Sequence, residues 1–156
     1  MKKRFTFAVF ALILCLLTAC VNGQGVQSAT PSAAANAAGE VTDAKLRVFI
    51  GEAEFTATLE QSAAAEAFTA MMEKEPVVIQ MRDYGGFEKV GSLGASLPAS
   101  DRQTTTEAGD IVLYNGNQIV IFYGSNSWSY TRLGKIDDLT GWAEALGSGD
   151  VVATFS

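Results

Sequence analysis

The side chains that most often carry out proton transfer, nucleophilic attack and zinc binding are scarce in this chain. It has no histidine, and its two cysteines, Cys15 and Cys20, both fall within the first twenty residues. Everything after Cys20 therefore lacks a disulfide, a thiol nucleophile, a histidine base and a Cys/His zinc site. No Asp/Asn-rich loop has the spacing of a calcium site, so no metal and no cofactor is expected. The residues left with recognisable chemistry are Arg82, Tyr84, Phe87, Gln103 and Trp128. Aromatic rings with one cation and one amide, gathered in a single cleft, would suit a short peptide or a small ligand. Each has a plainer alternative: Arg82 paired with Asp83 at a strand end, Phe87 in the core, Tyr84 and Trp128 half-buried on a barrel wall.

Any such cleft must be positioned by the chain that follows an unusual start. Lys2, Lys3 and Arg4 form a positive cluster, and Phe5 to Leu17 is an uncharged run with one polar residue, Thr6. A helix over that run would rise only roughly 20 Å, too short to span a bilayer core. A charged start followed by a short apolar stretch reads as an export signal. The run ends in Leu17-Thr18-Ala19-Cys20. This resembles the lipobox of bacterial lipoproteins, in which the cysteine becomes the new N-terminus and carries a diacylglyceryl lipid with palmitate-type chains. The resemblance implies that residues 1–19 are removed, that Cys20 is lipidated, and that the protein sits on the outer side of a cell membrane or in the envelope. Two acyl chains suffice for stable anchoring, at about 0.8 kcal/mol per buried CH₂.

Without residues 1–19 the chain has 137 of its 156 residues, the size of one domain. Losing Lys2, Lys3 and Arg4 leaves eight basic residues against 17 acidic ones, a net charge near −9. Such a surface repels phosphate backbones, so nucleic acid is not expected as a partner. Residues 20–43 contain no aromatic residue and only two charges, Glu40 and Asp43. They predict a flexible linker with a root-mean-square span of roughly 25 Å.

Residues 44–156 change texture. Leu46, Val48 and Ile50 alternate with polar neighbours, as do Phe55, Ala57 and Leu59 beyond Gly51-Glu52, which predicts a hairpin. Ser62 can cap a helix whose inner side holds Ala64, Ala67, Phe68, Met71 and Met72. Val77 to Met81 reads as a short buried strand, broken by Gly85-Gly86 and resumed over Phe87 to Val90. Residues 91–109 read as a long loop. Asn115-Gly116-Asn117 between apolar runs predicts a second hairpin, Ile111 to Tyr114 and Gln118 to Tyr123. Trp128 to Leu133 reads as another strand. A short helix is expected from Asp137-Asp138, with Leu139, Trp142, Ala143 and Leu146 inward, before a last strand from Val151 to Phe155. About eight short antiparallel strands with two helices make a mainly β domain, and closure into a barrel removes its exposed edges.

This order of elements resembles the cyclophilin fold. Leu133-Gly134-Lys135-Ile136 before a short helix is similar to the Phe-Gly-Lys-Val segment of that fold. Ala108-Gly109-Asp110-Ile111-Val112-Leu113-Tyr114, Gln118 to Tyr123, and Trp128-Ser129-Tyr130-Thr131-Arg132-Leu133-Gly134 are similar to bacterial cyclophilin-like proteins. The resemblance implies a cyclophilin-like closed barrel over residues 44–156. It also raises peptidyl-prolyl isomerisation, in which an arginine donates to the prolyl nitrogen beside an apolar pocket. Arg82 and Phe87 have the family's spacing of five residues. The positions where the family carries methionine and glutamine hold Glu88 and Val90, and the pocket histidine has no counterpart. These departures rank a tethered binding module without efficient isomerase activity first. A weak isomerase acting on envelope proteins comes second, and a structural envelope-interaction lipoprotein third.

Overall fold

The structure is a computed structural model, and it describes residues 45–156. The export signal, Cys20 and the linker lie outside the described residues. Among the described residues no helix is long and apolar enough to cross a membrane.

The first strands follow from strict alternation. β1 (Leu46–Ile50) buries Leu46, Val48 and Ile50, and β2 (Ala53–Leu59) buries Phe55 and Ala57. They pair antiparallel with Leu46 opposite Ala57, across a turn where Gly51 has a φ of 59°. α1 (Ala63–Met72) begins at Ser62, whose Oγ accepts the Ala65 amide at 3.2 Å and satisfies one free N–H of the first turn. Ala64, Ala65 and Phe68 are its buried residues, with Met71 and Met72 half-buried against the core. β3 (Val77–Tyr84), β4 (Glu88–Ser92), β5 (Arg102–Thr105), β6 (Asp110–Tyr114), β7 (Gln118–Phe122), β8 (Ser127–Ile136), α2 (Trp142–Leu146) and β9 (Val151–Phe155) complete the chain.

Eight strands form a closed antiparallel barrel in the order β2-β1-β9-β3-β4-β7-β6-β8, with β8 returning to β2. The closing contact runs through Gly134, which pairs with Leu59. A Cβ at Gly134 would lie 2.5 Å from the Thr58 carbonyl oxygen, so only glycine lets the two backbones meet. One core fills the barrel, drawn from every barrel strand except β4 and from both helices.

A second, smaller apolar cluster lies on the other face of the wall. Along β6, Ile111 and Leu113 join the barrel core while Val112 joins the second cluster; along β7, Ile119 and Ile121 face in while Val120 and Phe122 face out. Strand side chains alternate between faces, so these apolar runs mean a wall covered on both sides.

Three expectations are corrected by the structure. The stretch 91–109 is not all loop: Arg102–Thr105 forms β5, outside the barrel ring, paired with the overhanging start of β8. Its sequence, Arg-Gln-Thr-Thr, has no apolar alternation to betray a strand. β3 is longer than Val77 to Met81 and alternates, leaving Val78 60% exposed, because its outer face meets water at that end. The last helix begins at Trp142, since β8 continues to Ile136 and Asp138 accepts the Thr140 amide in a turn. Leu139 and Ala143 are consequently exposed, and the helix is anchored by the buried Trp142 and Leu146, with Ala145 packed against the core.

Candidate functional site

β4 is where sequence and chemistry separate most sharply. Its first two residues are Glu88 and Lys89, and alternation sends them to opposite faces. Lys89 faces inward and is fully buried. Its ammonium donates to Asp83 Oδ1 at 2.6 Å, to the Gly147 carbonyl at 2.8 Å and to the Gly149 carbonyl at 2.7 Å. All three of its donors are used, and the Tyr123 ring lies 4.9 Å away. Tyr123 Oη also donates to Asp83. The hydrogen bonds from Lys89 and then Tyr123 hold the Asp83 carboxyl below the usual aspartate range. Burial, helped by Asp83, pushes the Tyr123 phenol up to about 12.

Glu88 faces outward, onto the second cluster, and is still only 5% exposed. Its Oε2 has no hydrogen-bond partner among the described residues. Burial pushes its carboxyl above the usual glutamate range, and hydrogen bonds from Asn126 and Tyr130 pull it part of the way back. Asn126 Nδ2 donates to Tyr130 Oη at 3.1 Å, which leaves the phenol proton for Glu88. Burial, and next the Glu88 charge, raise Tyr130 to about 12.

Glu88 lies in a cavity of about 400 Å³ on the outside of the barrel wall, lined among others by Tyr84, Tyr114, Asn126, Trp128 and Tyr130. Val90 and Val120 add apolar surface to its lining. Tyr84 stands directly across the strand pair from Glu88. Tyr84 and Trp128 are 63% and 56% exposed, the two most exposed aromatic residues among the described ones. Tyr114 and Tyr130 meet edge to face with centroids 5.9 Å apart.

The sequence profile of the Cyclophilin-like family matches residues 48–156. The chain belongs to that family. The chain is also similar in structure to a hypothetical protein from Archaeoglobus fulgidus, solved in solution, with a TM-score of 0.48 and 18% identity over 72% of this chain and 92% of that one. No curated protein gives a significant match.

In this cyclophilin-like barrel two of the five residues singled out from sequence, Tyr84 and Trp128, line one cleft. The other three lie elsewhere. Arg82 is exposed on the same face of β3 as Tyr84, opposite Val90, and makes no ion pair or hydrogen bond among the described residues. Asp83 is taken by Lys89 rather than by Arg82. Phe87 packs beneath the site, in the second cluster, between Gly85 and Gly124, where added Cβ atoms would lie 2.2 and 2.7 Å from it. Gln103 pairs with Ser129 while Thr104 pairs with Trp128, so Gln103 faces away from Trp128. Sequence reasoning passed over Glu88, Asn126 and Tyr130. The available signal was the pair of unbroken apolar runs in β6 and β7, which predicts a covered outer face and hence a buried Glu88 beside them. Among the described residues no group of three acidic side chains is arranged to hold a metal.

Proposed function

We propose that this chain is a membrane-tethered, extracytoplasmic cyclophilin-like module that binds a peptide or small ligand without efficient prolyl isomerase activity. One observation carries this reading: the cleft on the outer wall, about 400 Å³ in volume and walled by Tyr114, Tyr130 and the solvent-exposed Tyr84 and Trp128. A concave, mostly apolar site with a few convergent polar groups is the usual form of a ligand site. The isomerase alternative rests on Arg82 and Phe87, neither of which lines that cleft. The tether rests on Leu17-Thr18-Ala19-Cys20 and the run before it.

Two measurements test the two halves. NMR of the full chain in maltoside detergent with an Ala-Pro peptide is expected to show shifts at Trp128 and Tyr84 without cis–trans exchange cross-peaks. Exchange that vanishes in Arg82→Ala would establish the isomerase instead. Metabolic labelling with palmitate in a bacterial host should mark the chain, and Cys20→Ser should abolish both the label and membrane recovery. An unlabelled wild-type chain would remove the tether.

A further inference from the structure

Glu88 poses a question that the binding reading alone does not answer. A carboxylate is costly to bury without partners for its oxygens. Glu88 is only 5% exposed, and its Oε2 is unpartnered among the described residues. It is not a structural ion pair, because no Lys or Arg comes within 4.0 Å of it there; Asp110, whose Oδ1 also lacks a hydrogen-bond partner, does have counter-charges in Arg132 and Lys135. Hydrogen bonding from Asn126 and Tyr130 offsets its burial only in part. Glu88 nevertheless belongs to the lining of a cavity walled by aromatic rings.

Carboxylate and aromatic faces favour the same guest. A ring carries its negative quadrupole on its faces and attracts a cation placed over them. A carboxylate accepts hydrogen bonds from that cation and neutralises it. Tyr84 and Trp128 stand at the solvent side, Tyr114 and Tyr130 deeper in, and Glu88 in the lining beneath them, its Oε2 unpartnered and itself buried. An anionic guest would meet Glu88 with like charge. A purely apolar guest would leave the buried oxygen without a partner.

The geometry points to an alkylammonium group as the guest: the cleft takes a primary amine on an aliphatic stem, held by Glu88 and walled by Tyr84, Tyr114, Trp128 and Tyr130. This rests on the binding reading and sharpens its ligand class. The same chemistry is offered by a peptide lysine and by a free small amine. Arg82 is a cation on the same face of β3 as Tyr84, opposite Val90 and so diagonal to Glu88. Its exposure keeps it out of the cavity and makes it a control.

The test is a titration of the full chain in maltoside at neutral pH, read by tryptophan fluorescence and by NMR shifts at Trp128. The probes are N-acetyl-lysine methylamide, its uncharged norleucine counterpart, n-butylammonium and the Ala-Pro peptide. The lysine derivative is expected to bind about tenfold or more tightly than the norleucine one, and Glu88→Gln should erase that preference. Arg82→Gln should retain it. Butylammonium matching the lysine derivative would assign the site to free amines, and a much tighter lysine derivative would assign it to peptides; either supports the proposal. Equal binding of the lysine and norleucine probes would overturn it and leave an apolar ligand cleft, so the binding reading would stand. A charge preference that survives Glu88→Gln would overturn it too, by placing the counter-charge elsewhere. Binding of the Ala-Pro peptide alone would overturn it and keep the binding reading. Silence from all four probes would end both.

Discussion

Glu88 and Lys89 are adjacent in the chain, carry opposite charges and are both buried, yet they end in opposite circumstances. Lys89, at the mouth of the barrel, has every donor occupied, by a carboxylate and two carbonyls from the turn after α2. It ties β3, β4 and the approach to β9 together. Glu88, on the outer wall, lines a solvent-facing cavity and keeps one buried acceptor without a partner. A buried ionic group with its counter-charge and hydrogen bonds in place serves structure, and one lacking both calls for an explanation. Burial alone does not separate these two cases. The completeness of the hydrogen-bond set does.

The comparison can be broken most directly at Lys89. Lys89→Met should lower stability by about 3 kcal/mol, because it strands a carboxylate and two carbonyls. Chemical denaturation measures this, and a loss below about 0.5 kcal/mol, the scale of an ordinary surface change, would deny Lys89 its structural role. Removing the phenol that supports the same cluster, with Tyr123→Phe, should cost about 1.5 kcal/mol by the same assay. Glu88→Gln should act in the opposite direction and raise stability at neutral pH by about 1 kcal/mol, since it removes a buried charge with an unpartnered oxygen. A destabilised variant would mean that Glu88 is as well satisfied as Lys89.

The pH dependence sharpens the same contrast. The folded-state value of Glu88 is raised, so its contribution is fully present below the ordinary range near 4.5 and is lost as pH rises through the folded value. The advantage of Glu88→Gln over wild type should therefore shrink towards zero as pH falls below about 4.5. Asp83 has a lowered folded value, so its contribution is present above the ordinary value near 3.8 and is lost as pH falls through the folded one. Denaturation midpoints of Asp83→Asn and Glu88→Gln across pH should diverge from wild type in opposite senses at neutral pH and converge on it in acid. The smallest effect belongs to Arg82→Gln, which should change stability by less than about 0.5 kcal/mol.

How much of this was legible in the sequence depended on the face. The inward side of β1 and β2 could be read residue by residue, because Leu46, Val48, Ile50, Phe55 and Ala57 alternate with polar neighbours. The hairpin at Asn115-Gly116 was equally plain, since Asn115 and Gly116 both adopt positive φ, at 50° and 72°, as that turn demands. β5 was hidden because a polar strand held by one neighbour leaves no hydrophobic period. The cleft was half legible. Tyr84 and Trp128 announce themselves as large aromatics, but Glu88 looks like any surface acid until the wall is known to be covered on both sides. Arg82 drew attention through its spacing to Phe87, a one-dimensional coincidence that alternation on β3 and the Gly85-Gly86 turn resolve into separate environments.

The opposite faces taken by Glu88 and Lys89 also police assembly. If β4 slid by one residue against β3 and β7, every side chain on it would change face. The ammonium would enter the aromatic cleft, and a carboxylate would be forced against Asp83 and the Gly147 and Gly149 carbonyls, where every group is an acceptor. A pair of like-charged or neutral residues would tolerate that error. This pair makes the misaligned barrel electrostatically intolerable, so two adjacent side chains act as a registration mark for a strand that contributes no side chain to the barrel core.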